Sequence, residues 1–500
     1  MVATPHAPST SSLAAAAVTA GRTSGPAAAG SDPAAEAAGQ RLARELWTTD
    51  LSREHGFEPL EIEGALPPEL RGTVYRNGPG LFGQHGRRYS HPFEGDGAVT
   101  AVRFDGGRAQ GASRVTPTAG LQEERAAGRI LYGLSAPWWR RVANMRRGRQ
   151  KNTANTSVVL WQDRLFAVME GGRPTELDPR DLSMIGETDL GGTVVSAFSA
   201  HPHRVASRRA IYNFGLEYGR QTKLHFYELP DVGGARHLGA VPLGGPPMLH
   251  DFIATDTHLV VFLSPVRIDV PRMLLQLGSF EQLFRWRPEL GTEVICVPID
   301  RPGEPVRFTV ESFYQWHFAN AFSRGGELVI DYVRYRDFQS FYDLGGMTQG
   351  GGYPDSLGDG YLHRAVIDPA ARTLRSAPLL ADRACEFPTV ARDRQGAEQA
   401  VTYVALDGQR AIGKLEVATG RLAAHALPSD QRATEPIFVA RPGAAREDDG
   451  WVLSLCHDAR TARAFLAVYD AAKIPDGPIA HAWFDHQVPI TFHGAFHPQV

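Results

Sequence analysis

Short runs of apolar residues recur along most of the chain, and Gly, Pro, Asp or Asn bound each of them. Their β-branched and aromatic content favours strands, and the turn residues between them favour hairpins. Clear examples are SVVLWQD-RLFAVMEG (157–171), THLVVFLSP (257–265), GELVIDYVRY (326–335), QAVTYVALDGQRAIGKLEV (399–417) and WVLSLCHD…RAFLAVYDA (451–471). So many strands in one chain, with no linker after Trp47, predict an all-β fold built as a propeller or as a set of β-sandwiches.

Two segments depart from this strand pattern. Residues 136–151 (APWWRRVANMRRGRQK) combine a tryptophan pair with a cluster of basic residues, and residues 271–290 (PRMLLQLGSFEQLFRWRPEL) place large apolar side chains at roughly helical spacing. Each segment is either a helix packed on the core or an interfacial patch that meets lipid headgroups. The membrane interpretation depends on Trp138, Trp139, Arg140, Arg141, Arg146 and Arg147, and on the Met273–Trp286 stretch with Leu274, Leu277 and Phe280.

The N-terminal composition predicts a tail. Residues 1–40 are rich in Ala, Ser, Thr, Pro and Gly, so we expect them to be disordered and the folded domain to span 41–500. Acidic residues are absent before Asp32, so the tail could be a transit peptide to a plastid, although Arg22 is its only basic residue before position 40. No run reaches the roughly 18 apolar residues of a spanning helix. A cytoplasmic protein, at most peripheral on a membrane, is the expectation, with a plastid as the alternative.

Charge and cysteine content narrow the classes of partner. The formal net charge of -3 gives no reason to expect a nucleic acid. The three cysteines, Cys296, Cys385 and Cys456, are widely spaced and form neither a disulfide framework nor a zinc pattern. We expect them to be buried thiols in a protein that acts as a monomer.

Histidine is the residue type that most suggests a metal. Of 18 histidines, four stand beside turn or strand residues in SAHPHR, PMLHDF, QWHFANAF and TFHGAFHP, namely His201, His250, His317 and His493. Neutral imidazole suits iron, zinc, copper and nickel, so these residues alone leave the metal open. His201 and His203 flank Pro202, and the local sequence does not decide whether one or both bind an ion. The HExxH and GxSxG motifs are absent, and no glutamate follows His203 as a cupin-type site would require.

A series of motifs runs in order over nearly all of residues 45–498. They are LRGTVYRNGPG (70–80), HPFEGDGAVTAVRF (91–104), AAGRILYG (126–133), KNTANTSVV (151–159), AVMEGGRPTELDP (167–179), SAHP (199–202), MLHDFIAT (248–255), HFANAF (317–322), CEFPTV (385–390), TEPIFVARP (434–442) with EDDGWVLS (447–454), and VPITFHGAF (488–496). In this order they resemble the carotenoid cleavage oxygenases, and the bacterial apocarotenoid oxygenases most of all. The resemblance implies a seven-bladed β-propeller with loops and helices capping an axial metal site.

The resemblance also implies a set of site residues. One ferrous ion would be held by His201, His250, His317 and His493, while His203 and His497 would be bystanders. Each bound imidazole needs its other nitrogen held, usually by a carboxylate. The implied pairs are Glu170 with His250, Glu386 with His317, and Glu435 with His493. Thr156 would crowd an open position on the iron and help to steer dioxygen.

The implied reaction is Fe(II)-dependent insertion of O2 across a conjugated C=C bond of an apocarotenoid or carotenoid, giving two carbonyl products. Met169 stands where stilbene-cleaving members usually carry a lysine that binds a phenol, which favours a polyene. Stilbene or phenylpropenoid cleavage is the alternative within the family. A non-catalytic propeller that serves as an interaction platform is the alternative outside it.

Overall fold

Seven antiparallel sheets form the blades of a β-propeller in the computed structural model, which describes residues 33–269, 272–273, 278–347 and 358–499. Sequential strands pair as hairpins within each blade, as the pattern of apolar runs and turn residues predicts. The predicted seven-bladed propeller is therefore confirmed, and the alternative of several sandwiches is wrong.

The first blade joins the two ends of the folded domain. Its strands, in spatial order, are β1 (His55–Pro59), β7 (Arg108–Val115), β6 (Asp96–Asp105), β3 (Gly72–Leu81) and β35 (His493–Pro498). The late strand β35 pairs with the early strand β3, and His493 lies opposite Asn77 in their register. Closure of the ring therefore also places one predicted ligand.

The other six blades follow in chain order. The second blade consists of β8 (Ser157–Trp161), β9 (Arg164–Val168), β10 (Thr175–Leu177) and β11 (Met184–Glu187). The third consists of β12 (His203–Val205), β13 (Ala210–Glu217), β14 (Thr222–Pro230) and β15 (Arg236–Leu243). The fourth consists of β16 (Ile253–Ala254), β17 (His258–Leu263), β20 (Thr292–Pro298) and β21 (Val306–Val310). The fifth blade consists of β22 (Tyr314–Arg324), β23 (Glu327–Tyr335), β24 (Tyr361–Asp368) and β25 (Thr373–Pro378). The sixth consists of β26 (Cys385–Thr389), β27 (Val401–Leu406), β28 (Ala411–Glu416) and β29 (Arg421–Ala426). The seventh consists of β30 (Gln431–Ala433), β31 (Ile437–Ala440), β32 (Gly450–Asp458), β33 (Arg463–Asp470), β34 (Pro478–Trp483) and β2 (Glu61–Gly64). Two small ribbons lie outside the blades: β4 (Gly83–Gln84) with β5 (Arg87–Arg88), and β18 (Val266–Ile268) with β19 (Phe284–Trp286).

Short helices and loops cover one face of the propeller. The described helices of more than three residues are α1 (Pro33–Glu45), α2 (Ala119–Ala127), α3 (Trp138–Arg146) and α4 (Gln339–Met347). Leu46 and Trp47, just after α1, and Phe341 of α4 join Trp316 and Phe492 of the blades in one buried apolar cluster. We refer to this cluster as the cap, and it fastens α1 and α4 to the propeller.

Helix α1 starts at Pro33, inside the segment that the composition assigns to the tail. Alanine-rich sequence suits a helix as well as a disordered chain, and Leu42, Leu46 and Trp47 supply the buried contacts that favour the helix. Residues 1–32 lie outside the described residues, so a disordered tail and a transit peptide stay predictions.

The two unusual segments differ from each other. α3 is a helix with Trp138 and Trp139 69% and 47% exposed, so it is not a buried core helix. In the second segment, residues 270–271 and 274–277, with Leu274 and Leu277, lie outside the described residues. Beyond them Glu281–Leu283 form one 3-10 turn and β19 follows, so the helical spacing is misleading there.

The three cysteines are free and buried, as predicted from the sequence. Burial raises the pKa of Cys296 and of Cys456 to about 12. Among the described residues, no helix is long and apolar enough to cross a membrane.

Candidate metal centre

The four predicted ligand histidines come from four blades and meet in one buried cluster. His201 precedes β12, His250 precedes β16, His317 lies within β22 and His493 opens β35. The ring centroids of His201 and His250 are 4.2 Å apart, and those of His317 and His493 are 4.7 Å apart. Because inner strands of a propeller converge on its axis, residues far apart in sequence come within reach of one ion.

Three glutamates hold the outer nitrogens of three of these rings. His317 Nδ1 lies 2.5 Å from Glu386 Oε2, and His493 Nδ1 lies 2.8 Å from Glu435 Oε1. His250 Nδ1 contacts Glu170 Oε1 directly. These are the pairs implied by the sequence motifs. The carboxylates fix both the tautomer and the orientation of the rings.

The arrangement of the inner nitrogens fits a cation. In a neutral ring, Nδ1 of His317 and of His493 carries the hydrogen that it donates in a hydrogen bond to a glutamate. The Nε2 atom of each of these neutral rings therefore carries a lone pair. These two Nε2 atoms lie 3.1 Å apart, and His250 Nε2 lies 3.4 Å from that of His317. His201 Nε2 is buried and has no hydrogen-bond partner among the described residues. Facing lone pairs repel one another unless a positive charge lies between them, so this donor set fits a metal that imidazole prefers.

Burial and charge act in opposite directions on the imidazoles of the cluster. Burial disfavours a charged His317, but Glu386, to which it is hydrogen-bonded, outweighs burial and raises the pKa of His317. Burial, with the neighbouring histidines, holds the pKa of His201 well below its usual range. Burial also lowers the pKa of His493, against the opposing effect of Glu435. The pKa values of Glu386 and Glu435 stay below the usual range because burial is outweighed by their histidine partners. Neutral rings beside ionised carboxylates are the states that bind a metal.

A further layer supports the glutamates, and sequence reasoning missed it. Fully buried Arg76 donates from Nη1 to Glu435 Oε2 (2.8 Å), which also accepts from Gly494 N. Tyr335 donates its hydroxyl to Glu386 Oε1 at 2.8 Å. Arg76 stands within the LRGTVYRNGPG motif, so the motif marks its region but not its role. Tyr335 stands in no motif, and only the fold brings it to Glu386.

Thr156 reaches the same region from the second blade. It lines a cavity together with His250, His317 and His493, and its hydroxyl donates to Asn155 Oδ1 at 3.0 Å. Asn155 Nδ2 in turn donates to the carbonyls of Phe93 and Gly95. Thr156 is therefore held by a hydrogen-bonded loop and is placed beside the imidazole cluster.

Two cavities meet at the cluster and differ in character. The cavity on the cap side has an empty volume of about 770 Å³ and is lined mainly by apolar and aromatic side chains, among them Trp47, Phe93, Trp316, Phe387 and Phe492. A second cavity of about 1600 Å³ extends on the other side and has polar lining residues, including Arg204, Asp251 and Gln395. The imidazole cluster lies between the two cavities, and charged side chains are found in the lining of the second.

The two histidines expected to be bystanders stand outside the ligand cluster. His497 Nε2 lies 3.1 Å from Asp163 Oδ1 near the surface. His203 Nε2 lies 2.8 Å from Asp251 Oδ1, and Asp251 is 1% exposed. The ring of His203 is therefore bound to a buried partner rather than free.

Comparisons with known proteins agree with this site. Residues 49–498 match the family described as retinal pigment epithelial membrane protein. The chain is 33% identical over 459 residues to apocarotenoid-15,15'-oxygenase of Synechocystis sp., covering 87% of this chain and 92% of that protein. It is 26% identical over 468 residues to isoeugenol monooxygenase of Pseudomonas nitroreducens, covering 88% and 94%. The fold is similar to the crystal structure of the cobalt-substituted Synechocystis apocarotenoid oxygenase, with a TM-score of 0.81, 31% identity and coverage of 92% and 99%.

A capped seven-bladed propeller around a cluster of carboxylate-bound histidines defines an oxygenase of the carotenoid cleavage class. The chain belongs to the family of retinal pigment epithelial membrane protein and the carotenoid oxygenases. The identification made from the motifs is confirmed, and the alternative of a non-catalytic interaction platform is wrong.

Replacing the outer glutamates tests whether they support a metal site. We expect Glu170→Gln, Glu386→Gln and Glu435→Gln each to weaken divalent metal binding by roughly 10- to 100-fold, since an amide holds the imidazole less firmly. Competition with a chelator, with Co²⁺ as the metal, measures this affinity. Glu228→Gln is the matched control, because Glu228 is buried in β14 and bonded to Tyr212 away from the cluster. Equal affinity in all four variants would contradict the assignment.

Proposed function

We propose that the protein is a non-haem Fe(II) dioxygenase that cleaves a conjugated C=C bond of an apocarotenoid or carotenoid. One O2 molecule is consumed, one of its oxygen atoms goes to each carbon of the broken bond, and two carbonyl products form. The observation that carries this proposal is the convergence of four imidazoles beside an apolar cavity, which three of them, His250, His317 and His493, line.

Ferrous iron is the metal that we assign to His201, His250, His317 and His493. Imidazole donors suit iron, and four neutral rings leave its charge undiminished and positions open for other ligands. When bound, iron would supply the redox chemistry that activates dioxygen. The chain contributes a fixed set of donors, held by Glu170, Glu386 and Glu435, and Thr156 at the cavity side of the cluster. Asn155 accepts the hydroxyl hydrogen of Thr156, which fixes its rotamer beside the reacting region.

The cap-side cavity suits a long, flat and apolar molecule. Trp47, Phe93, Trp316, Phe387 and Phe492 offer aromatic faces along which a conjugated chain can lie. Such a lining excludes water and holds one double bond close to the metal, which converts an encounter into an oriented reaction. The position of the bound chain in the cavity would then decide which bond is cleaved.

Cleavage of a stilbene or phenylpropenoid is the second candidate, because isoeugenol monooxygenase is among the relatives. The described lining of the cavity offers no lysine or arginine to bind a phenolate. Met169, at the position where the stilbene cleavers usually carry a lysine, accepts from Thr153 N through its sulfur at 3.1 Å. The polyene is therefore favoured.

Product analysis tests the reaction. We expect protein reconstituted with Fe²⁺ to convert apocarotenals or carotenes under ¹⁸O2 into pairs of carbonyl products that both carry the label. Mass spectrometry measures the products, with resveratrol and isoeugenol offered in parallel. His317→Ala should lose both iron and turnover, whereas the near-surface control His497→Ala should keep both. Cleavage of the phenolic substrates alone would refute the polyene assignment.

Peripheral contact with a membrane is proposed for α3. Trp138, Trp139 and Met145 of this helix are 69%, 47% and 42% exposed, and Arg146 and Arg147 are exposed beside them. Tryptophan favours the interfacial zone and arginine favours anionic headgroups. A polyene is nearly insoluble in water, so uptake from a bilayer would suit this substrate. Of the second segment, Met273 is 38% exposed, whereas Phe280 and Phe284 are partly buried and pack against the cap.

Vesicle binding separates the membrane proposal from a surface of no consequence. We expect Trp138→Ser/Trp139→Ser to reduce co-sedimentation with anionic phosphatidylserine vesicles. For the parent protein, we expect high salt to reduce co-sedimentation, because it screens the attraction between arginine and the headgroups. The matched control is Ile185→Ser/Val232→Ser, which removes two apolar side chains that are 62% and 80% exposed elsewhere. Equal losses in both double variants, or in neither, would refute a specific role of α3.

A further inference from the structure

Asp251 connects three of the four metal-binding segments. It directly follows His250, and its side chain is 1% exposed. Its Oδ2 accepts from the backbone N–H of Phe318, the residue after His317, at 2.9 Å. Its Oδ1 lies 2.8 Å from Nε2 of His203, which is two residues beyond His201. One carboxylate therefore ties together the inner ends of the third, fourth and fifth blades.

His201 has the greatest need of such a tie. Each of the other three imidazoles has a glutamate oxygen in contact with its Nδ1. The glutamate oxygen recorded near His201 is Glu170 Oε1, 4.0 Å from Nε2, which is beyond hydrogen-bonding distance. Among the described residues no carboxylate is hydrogen-bonded to the ring of His201, so its position depends on its own backbone. That backbone is held by Ser199 Oγ, which accepts from His201 N at 3.1 Å, and by His203 on the other side of Pro202.

The local structure makes His203 a suitable anchor. It opens β12, where it pairs with Tyr212 of β13, and its ring packs edge-on against Phe252 with centroids 5.4 Å apart. Phe252 N also donates to Asp251 Oδ1 at 2.7 Å. The ring is therefore fixed by a hydrogen bond, an aromatic contact and a strand, and little freedom remains for the two residues that separate it from His201.

We propose that the His203–Asp251 pair is a positioning device that sets His201 against His250 and His317. This inference rests on the proposed metal site, but it does not depend on the substrate. His203 and Asp251 are 48 residues apart in the sequence. An anchor of this kind takes the place that a glutamate occupies behind each of the other three ligands.

Two substitutions at His203 separate positioning from general stability. His203→Ala removes the anchor, and we expect the Co²⁺ affinity to fall roughly 10-fold, as for other outer-layer partners of metal ligands. The ligand-field absorption bands of bound Co²⁺ should shift as well, because the placement of one donor changes. His203→Gln can still donate to Asp251 and should restore most of the affinity and the parent spectrum.

Asp251→Asn provides a second, independent variant. The asparagine amide keeps one acceptor oxygen, but its NH2 group replaces the other oxygen and faces a donor, either His203 Nε2 or Phe318 N. One of these two hydrogen bonds is therefore lost. We expect a spectral shift here too. The double variant His203→Ala/Asp251→Asn should bind Co²⁺ as tightly as the single variant with the lower affinity. The free-energy effects of substitutions within one hydrogen-bond network do not add. The matched control is His497→Ala, which breaks another His–Asp pair outside the cluster.

The outcomes decide between a positioning role and other roles. A lower thermal midpoint in His203→Ala with an unchanged Co²⁺ spectrum and affinity would overturn the proposal, because the pair would then be merely structural. Strictly additive effects in the double variant would overturn it as well. A parent protein that binds Co²⁺ through His317 but cleaves no polyene would refute the proposed reaction and leave the spectral test of the pair intact. If His317→Ala does not weaken Co²⁺ binding, the site and the pair fail together.

Discussion

The mutual repulsion of converging imidazole lone pairs is the constraint around which the site is organised. Buried carboxylates fix the protons of His317 and His493 on their outer nitrogens, so the inner nitrogens must face one another at 3.1 Å. Such an arrangement costs free energy without a cation and is favourable with one. A divalent cation together with Arg76 also balances the charge of the three glutamates that contact the imidazoles. Metal binding and the stability of the centre of the propeller are therefore coupled.

Ring closure is part of the same site. Arg76 lies on β3, Glu435 between β30 and β31, and Gly494 on β35, and all three meet in hydrogen bonds of 2.8–2.9 Å. The early strand, the late strand and the seventh blade are thus joined at the position that orients His493. The pairing of β3 with β35 that closes the propeller therefore also places His493, the fourth predicted ligand.

The sequence predicted the fold class and the histidine cluster because both leave local marks. Strands show as short apolar runs, and His201 and His493 stand beside Pro202 and Gly494 in motifs that a resemblance can carry. Contacts between distant residues leave no such mark. Asp251 meets His203 and Phe318 across 48 and 67 residues, and Tyr335 meets Glu386 across 51. Composition also does not indicate α1, because alanine-rich sequence suits both a helix and a disordered chain, and only the burial of Leu42 and of Trp47, just after the helix, distinguishes the two.

The four histidines differ in how firmly the protein holds them. Glu435 behind His493 is saturated by Arg76 and Gly494, and Glu386 behind His317 is held by Tyr335 and by Phe387 N. Glu170 behind His250 is 30% exposed and lines the apolar cavity. His201 lines the second cavity, and no glutamate of the described residues is hydrogen-bonded to it, Glu170 Oε1 being 4.0 Å from its Nε2. Support therefore decreases from the closure of the ring towards the second and third blades. The more firmly supported half of the cluster would fix the position of a bound metal. The less supported half adjoins both cavities, so adjustment of the coordination during a reaction would fall there.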